Sequence, residues 1–267
     1  MHSAAIGFDL DGVIMRGPWL RAVRPRVWSH LGAAPAVAHL AAEEREQRVT
    51  DAVLEAHQQR LARGDPVQAW NWDAIYAEVA RAFGGQALPE LAQIVRECCQ
   101  LDDTIALLPG ARSGLERIRA AGLRSVAISN GYYDYQWPVL EALGVAPLFE
   151  RVVTPDQAGY AKPDPRIFQS VPGIKAHVGD ILLHDVLGAN LADLCSVWLQ
   201  PELPEAFRLY APEARPRAPG FTDYLAQVLE ASRYRRYHPE GSEETCFPDI
   251  VALDVDEAAA TLLRINI

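Results

Sequence analysis

From residue 101 onward the chain alternates short apolar runs with stretches of helical spacing, and this alternation limits its fold more than any other feature. LPGARSGLERIRAAGL reads as a helix followed by glycine, and RSVAISNG as a strand ending at Ser129-Asn130-Gly131. YYDYQWPVLEALGV is a helical stretch that Pro138 is placed to interrupt. FERVVT, AHVGD and SVWLQ read as strands, with DPRIFQSV and DVLGANLADL as the helices between them. Strand–helix alternation predicts a parallel sheet covered by helices on both faces. The functional end of such a sheet lies outside the carboxyl ends of its strands.

The remainder of the chain has a different texture. AAIGF (4–8) reads as one more buried strand, whereas residues 16–100 carry apolar residues at helical spacing and nothing that alternates. Four or five helices are expected there, joined at GAAP, RGDP and GGQALPE. The expected organisation is therefore an α/β core from 1–15 and 101–267 with an all-helical insertion, 16–100, after the first strand. Residues 201–220 are proline-rich and read as a long extended connection, FTDYLAQVLEASRYRRY as a helix, and DIVALDV with DEAAATLLRI as a last strand and helix. The role of 201–247 is not legible.

Composition narrows the partners. A formal net charge of −10 argues against nucleic acid and anionic membrane, and no apolar run approaches the roughly 18 residues needed to span a bilayer. No secretory leader is visible and the four cysteines show neither zinc nor disulfide spacing, so a reduced, cytoplasmic protein is expected. Of 25 basic residues all but Lys162 and Lys175 are arginine, which makes each lysine informative.

Chemistry gathers at the predicted strand ends. FDLDGVI brings Asp9 and Asp11, SNG brings Ser129 and Asn130, AKPDPRIF brings Lys162, and HVGDILLHD brings Asp180 and Asp185. Four carboxylates at one sheet edge repel unless a cation lies among them, and hard oxygen donors with room for phosphate favour Mg²⁺. A hydroxyl, helix-terminal amides and an ammonium are suited to holding a phosphoryl group. A carboxylate beside that group can attack it, while a second one protonates the leaving oxygen.

In this order the motifs FDLDGVI, SVAISNG, AKPDPRIF and HVGDILLHD resemble the haloacid dehalogenase superfamily of phosphohydrolases. The resemblance covers about 1–14 and 101–200. It implies a Rossmann-like core with a helical cap inserted after the first motif, closing over the site. It implies Asp9 as nucleophile and metal ligand, and Asp11 as general acid/base binding metal through its backbone carbonyl. Ser129 and Lys162, with Asn130 beside them, would hold the phosphoryl group; Asp180 would ligate Mg²⁺, and Asp185 would be a supporting or alternative ligand.

Asp11 argues against dehalogenation, in which the family lacks that residue. The absence of lysine from 15–100 argues against Schiff-base phosphonate cleavage. The expected activity is Mg²⁺-dependent hydrolysis of a small phosphomonoester, with a sugar-phosphate mutase as the alternative and a catalytically silent binding member as a third reading. Arg16, Arg21, Arg24 and Arg26 either form a solvated basic face or lend one or two side chains, Arg16 and Arg21 first, to a substrate anion. WNWDAIY (70–76) reads as core or as the aromatic wall of a cap pocket. The histidines show no metal spacing; His184 stands out only as the neighbour of Asp185. Monomer and homodimer both remain open.

Overall fold

The structure, a computed structural model, describes every residue except 1, 2, 236, 237, 239 and 240. His2 and the Arg236–Tyr237 end of the expected RYRRY helix therefore lie outside the described residues. The chain divides into two compact units: Met1–Arg16, Leu107–Asn130 and Gly144–Ile267 form a sheet unit, and Gly17–Ala106 with Gly131–Leu143 form a helical unit.

In chain order the strands are β1 (Ala5–Phe8), β2 (Met15–Arg16), β3 (Ala106–Leu107), β4 (Arg124–Ile128), β5 (Arg151–Val153), β6 (Ile174–Gly179), β7 (Cys195–Leu199) and β8 (Ile250–Ala252). Six of them form one sheet in the order β5-β4-β1-β6-β7-β8, every pairing parallel. β1 sits centrally: successive strands run outward on one side, and β6 then returns to pair on the other. That reversal opens a crevice at the carboxyl ends of β1 and β6. β1 is buried along its whole length, and Gly7 lets its neighbours close in. A Cβ there would meet His177 Nδ1 at 2.8 Å.

The helices of the sheet unit are α6 (Ala111–Ala120), α8 (Pro155–Ala158), α9 (Pro165–Gln169), α10 (Leu187–Leu191), α11 (Glu205–Arg208), α12 (Phe221–Ala231) and α13 (Val255–Arg264); those of the helical unit are α1 (Arg24–Gly32), α2 (Ala42–Ala62), α3 (Pro66–Ala69), α4 (Trp72–Ala82), α5 (Leu91–Cys98) and α7 (Tyr133–Ala142). α7 runs on through Pro138 and packs against α5, and its Tyr135 hydroxyl donates to Asp73 Oδ2 at 2.7 Å. The strand–helix alternation alone would leave it with the sheet. Trp70, Trp72 and Tyr76 pack on one another and on His57, with ring centroids 5.3–6.2 Å apart. His57 and Tyr76 are buried and Trp70 and Trp72 half-buried, so the cluster runs from the interior of the helical unit to its surface.

The tail differs from the expected extended connection. It forms α11, a 3₁₀ turn at Arg215–Arg217 and α12, and it buries Leu203, Phe207, Phe221, Leu225 and Leu229 against Trp198 of β7. Proline breaks regular helix but does not stop apolar residues from burying their surface. The segment also covers edge strand β8: Val251 N–H donates to Pro212 O at 3.1 Å, and buried Arg215 donates to Val251 O at 2.9 Å. An unpaired strand edge is a template for unwanted pairing, and this edge is closed.

Candidate active site

Parallel topology delivers the motif residues to one edge of the sheet unit. Asp9 follows β1, and its N–H donates to Val178 O of β6 at 2.9 Å. The chain then turns tightly: Leu10 O accepts from Ile14 and Met15 N–H, both at 2.9 Å, with Gly12 at a φ of +88°. Only glycine adopts that conformation without strain, and a Cβ there would approach Asp180 Oδ2 to 2.3 Å. Ser129 follows β4, is buried, and donates its N–H to Val153 O at 3.1 Å. Asp180 follows β6, its carbonyl accepting from Trp198 Nε1 at 3.0 Å. A π-helical turn, Leu182–Val186, carries Asp185 back beneath these ends.

Lys162 is 4% exposed and its Nζ lies 2.7 Å from both Asp9 Oδ1 and Asp185 Oδ1. Burial alone would lower its pKa, but Asp185 and Asp9 outweigh it and hold the ammonium above its ordinary value. Asp185 is nearly saturated with donors. Its Oδ1 also faces His177 Nε2 at 2.9 Å, and its Oδ2 accepts Ile181 N–H at 3.0 Å. Burial pushes its carboxyl up, yet Lys162 and His177 together hold it well below the usual range. Asp9 moves the other way, to about 7: burial dominates, Lys162 opposes it and Asp185 adds to it. Burial also raises Asp180 well above its ordinary value, with Asp9 and Asp185 contributing.

Among the described residues, carboxylate oxygens of Asp9, Asp180 and Asp185 lie within 4.8 Å of one another. Ionised together, the three carboxylates would leave two negative charges beside one ammonium in a buried place. Asp180 Oδ1 is buried with no hydrogen-bond partner among the described residues. A hard dication held by Asp9 and Asp180 satisfies that oxygen and cancels the excess, so the residues fit Mg²⁺. The Asp11 carboxylate stands outside this trio.

The other expected residues take varied positions. Asn130 applies its carboxamide to the Lys162 backbone rather than leaving it open for phosphate: Nδ2 donates to Lys162 O at 3.1 Å and Oδ1 accepts Lys162 N–H at 2.8 Å. A cis peptide follows, between Lys162 and Pro163. Arg16 is exposed at the end of β2. Arg21 is exposed and donates to Asp103 O at 3.2 Å within the helical unit; there too Arg24 pairs with Glu46 and Arg26 with Glu97. His184 is buried with its pKa lowered to about 3, by burial first and His238 second. Sequence reasoning missed His177, which holds Asp185. The signal was Gly7, a glycine in the middle of a buried strand that leaves room for the imidazole.

A profile of the haloacid dehalogenase-like hydrolases matches residues 4–171. The chain is 32% identical over 185 residues to a phosphoserine phosphatase of Thermus thermophilus, a match covering 65% of this chain and 71% of that protein. It is 36% identical over 107 residues to a glyceraldehyde 3-phosphate phosphatase of Methanothermobacter thermautotrophicus; this match covers 38% of the chain and spans about half, 47%, of that relative. A solved HAD phosphatase from Thermococcus onnurineus shares the fold, with a TM-score of 0.59 at 23% identity over 76% of this chain and 88% of that one. Among the described residues no helix is long and apolar enough to cross a membrane. With a central parallel strand ending in Asp9, a buried lysine beside it and Asp180 at the neighbouring strand end, the chain belongs to the haloacid dehalogenase-like hydrolase family.

Proposed function

We propose that this protein hydrolyses a small phosphomonoester through an aspartyl-phosphate on Asp9, with Mg²⁺ as cofactor. The observation that carries this reading is the buried Asp9–Lys162 pair at 2.7 Å inside a carboxylate cluster that, fully ionised, is two positive charges short of neutrality. The names of the Thermus and Methanothermobacter relatives support phosphate ester hydrolysis. No feature of the site favours mutase chemistry over it.

Asp9 attacks phosphorus as its carboxylate, and the bond to the leaving oxygen breaks. Lys162 Nζ and the Ser129 hydroxyl hold non-bridging phosphoryl oxygens, neutralising charge that grows in the transition state. Asp11 gives its proton to the leaving oxygen, freeing the alcohol. As a carboxylate it then takes a proton from water, whose oxygen attacks the aspartyl-phosphate and releases inorganic phosphate and Asp9. Asp9, Asp180 and the Asp11 backbone carbonyl would hold Mg²⁺, which would supply the positive charge that keeps Asp9 ionised beside an anionic ester. Asn130 fixes the Lys162 backbone, and Asp185 with His177 fixes its side chain. The helical unit takes the part of the family's cap; Arg21 on that unit and Arg16 on the sheet unit are the arginines assigned to a substrate anion.

Phosphate release from a panel of small phosphomonoesters, with and without Mg²⁺, tests the reading. Metal-dependent turnover that Asp9→Asn abolishes is expected. Turnover that survives Asp9→Asn, or that ignores chelation, refutes it.

A further inference from the structure

Between α12 and β8, Gly241 lies against the π-helical turn that carries Asp185. A Cβ on Gly241 would approach Leu183 Cδ2 to 2.2 Å, so loop and turn are in contact. Its described residues are held by hydrogen bonds. Arg235 donates to Gly241 O, Ser242 N–H donates to Thr245 Oγ1 at 2.7 Å, and Asn190 Nδ2 holds the carbonyls of Thr245 and Phe247 at 2.9 and 3.0 Å.

This arrangement sets Tyr234 against His184, ring centroids 4.4 Å apart. His184 precedes Asp185 on that turn, and Asp185 lies 2.7 Å from Lys162, so Tyr234 packs on the element that carries part of the catalytic cluster. Arg233 Nη2 donates to the Tyr234 hydroxyl at 2.6 Å, and the guanidinium lies 4.7 Å from the centre of the ring. A hydroxyl that accepts from Arg233 keeps its own proton to donate. Arg233 is exposed, and among the described residues no carboxylate pairs with it. Burial raises the Tyr234 pKa and Arg233 opposes it, with Asp180 and Asp9 adding to the rise: the field of the site reaches this hydroxyl.

We propose that Arg233 and Tyr234 recognise a carboxylate on the non-reacting end of the phosphomonoester, so that the sheet unit itself selects a doubly anionic substrate. The inference rests on the phosphatase reading above. A guanidinium N–H and a phenol O–H, linked to each other, present two donors to the two oxygens of a carboxylate. The hydrogen bond and ring contact hold the guanidinium in place beforehand, which lowers the entropy lost on binding.

The test uses the full chain with Mg²⁺ and p-nitrophenyl phosphate as reporter. Two competitors of equal length are compared, 3-phosphoglycerate and glyceraldehyde 3-phosphate, which differ in a carboxylate against an aldehyde. The unmodified protein is expected to bind the carboxylate ester at least tenfold more tightly. Arg233→Met should bring the ratio of inhibition constants close to one, Arg233→Lys should recover part of it, and Tyr234→Phe should lower it several-fold. Arg217→Met, at an exposed arginine of the same tail whose guanidinium donates to the Glu213 carbonyl, should leave the ratio unchanged. An unmodified protein that does not discriminate, or a ratio that persists in Arg233→Met, overturns the inference and leaves the phosphatase reading standing. Failure to turn over p-nitrophenyl phosphate at all overturns that reading, and the inference with it.

Discussion

The raised pKa of Asp9 makes cation binding a proton exchange. Burial drives that carboxyl from its ordinary 3.8 to about 7, Lys162 opposing and Asp185 adding. Only the carboxylate ligates a hard cation, so Mg²⁺ must displace the proton. With a pKa of about 7 the carboxyl is ionised in roughly one molecule in eleven at pH 6 and ten in eleven at pH 8, so apparent Mg²⁺ affinity should rise about tenfold over that interval. Asp180, pushed up as well, steepens the rise. Calorimetric titration at pH 6, 7 and 8, in buffers of different ionisation enthalpy, reads both affinity and protons released. About one proton or more per ion is expected at pH 6, falling as pH rises, and Asp9→Asn should flatten the slope. The same shift sets the sign for the metal-free fold. Its Asp9 binds a proton more tightly than the unfolded chain does, so this contribution to stability is lost as pH climbs from about 4 through 7. Affinity that stays level from pH 6 to 8 with no proton release would refute the argument, because it would mean that Asp9 is already ionised without a cation.

His184 carries a pH dependence of opposite sign. With its folded pKa lowered to about 3, it favours the fold fully above the ordinary 6.5 and progressively less as pH falls toward 3. His184→Phe should therefore lose less thermal stability between pH 7 and 5 than the unmodified protein. Asn130→Ala removes two bonds to the Lys162 backbone, at a cost of ~2 kcal/mol in a urea titration. It should also lower kcat tenfold or more by loosening the ammonium; unchanged turnover would contradict its assigned role. Phe221 is fully buried, with Phe207, Phe247 and Trp198 rings 5.5–6.4 Å away, and Phe221→Ala should cost ~3–5 kcal/mol. A midpoint shift in the sheet unit's main urea transition is expected. Loss of the tail alone, with that midpoint unmoved, would show that the tail is not part of the sheet unit's core.

What the sequence made legible was local and topological. The strands of the motifs end in polar residues, and parallel topology carries such ends to one edge, so Asp9, Ser129 and Asp180 could be placed together there without any knowledge of their contacts. The bonds that position them connect distant residues and leave no period to read. Asn130 looks like the opening of a helix, yet it grips Lys162, 32 residues away. His177 lies in an apolar strand, and its partner Asp185 sits within a π-helical turn that follows neither helical nor strand spacing. The membership of α7 was equally hidden, since its own residues do not say that α5 is its neighbour. Nor could proline-rich spacing show that Leu203 and Phe207 would meet Trp198.

The lysine count was a different kind of signal, and the geometry accounts for it. In a chain that otherwise uses arginine, position 162 requires one nitrogen to face two carboxylates at 2.7 Å each, in a site that is almost fully enclosed. An ammonium on a flexible stem can do this with separate protons of a single atom. A guanidinium spreads its donors across a rigid plane, so Asp9 and Asp185 would have to move apart to meet it, and Asp9 would no longer lie where β1 delivers it. Lys175, the other lysine, is exposed on β6 and has no such constraint. Lys162→Arg should therefore fold with its charge retained and still lose turnover, a result that charge counting alone does not predict.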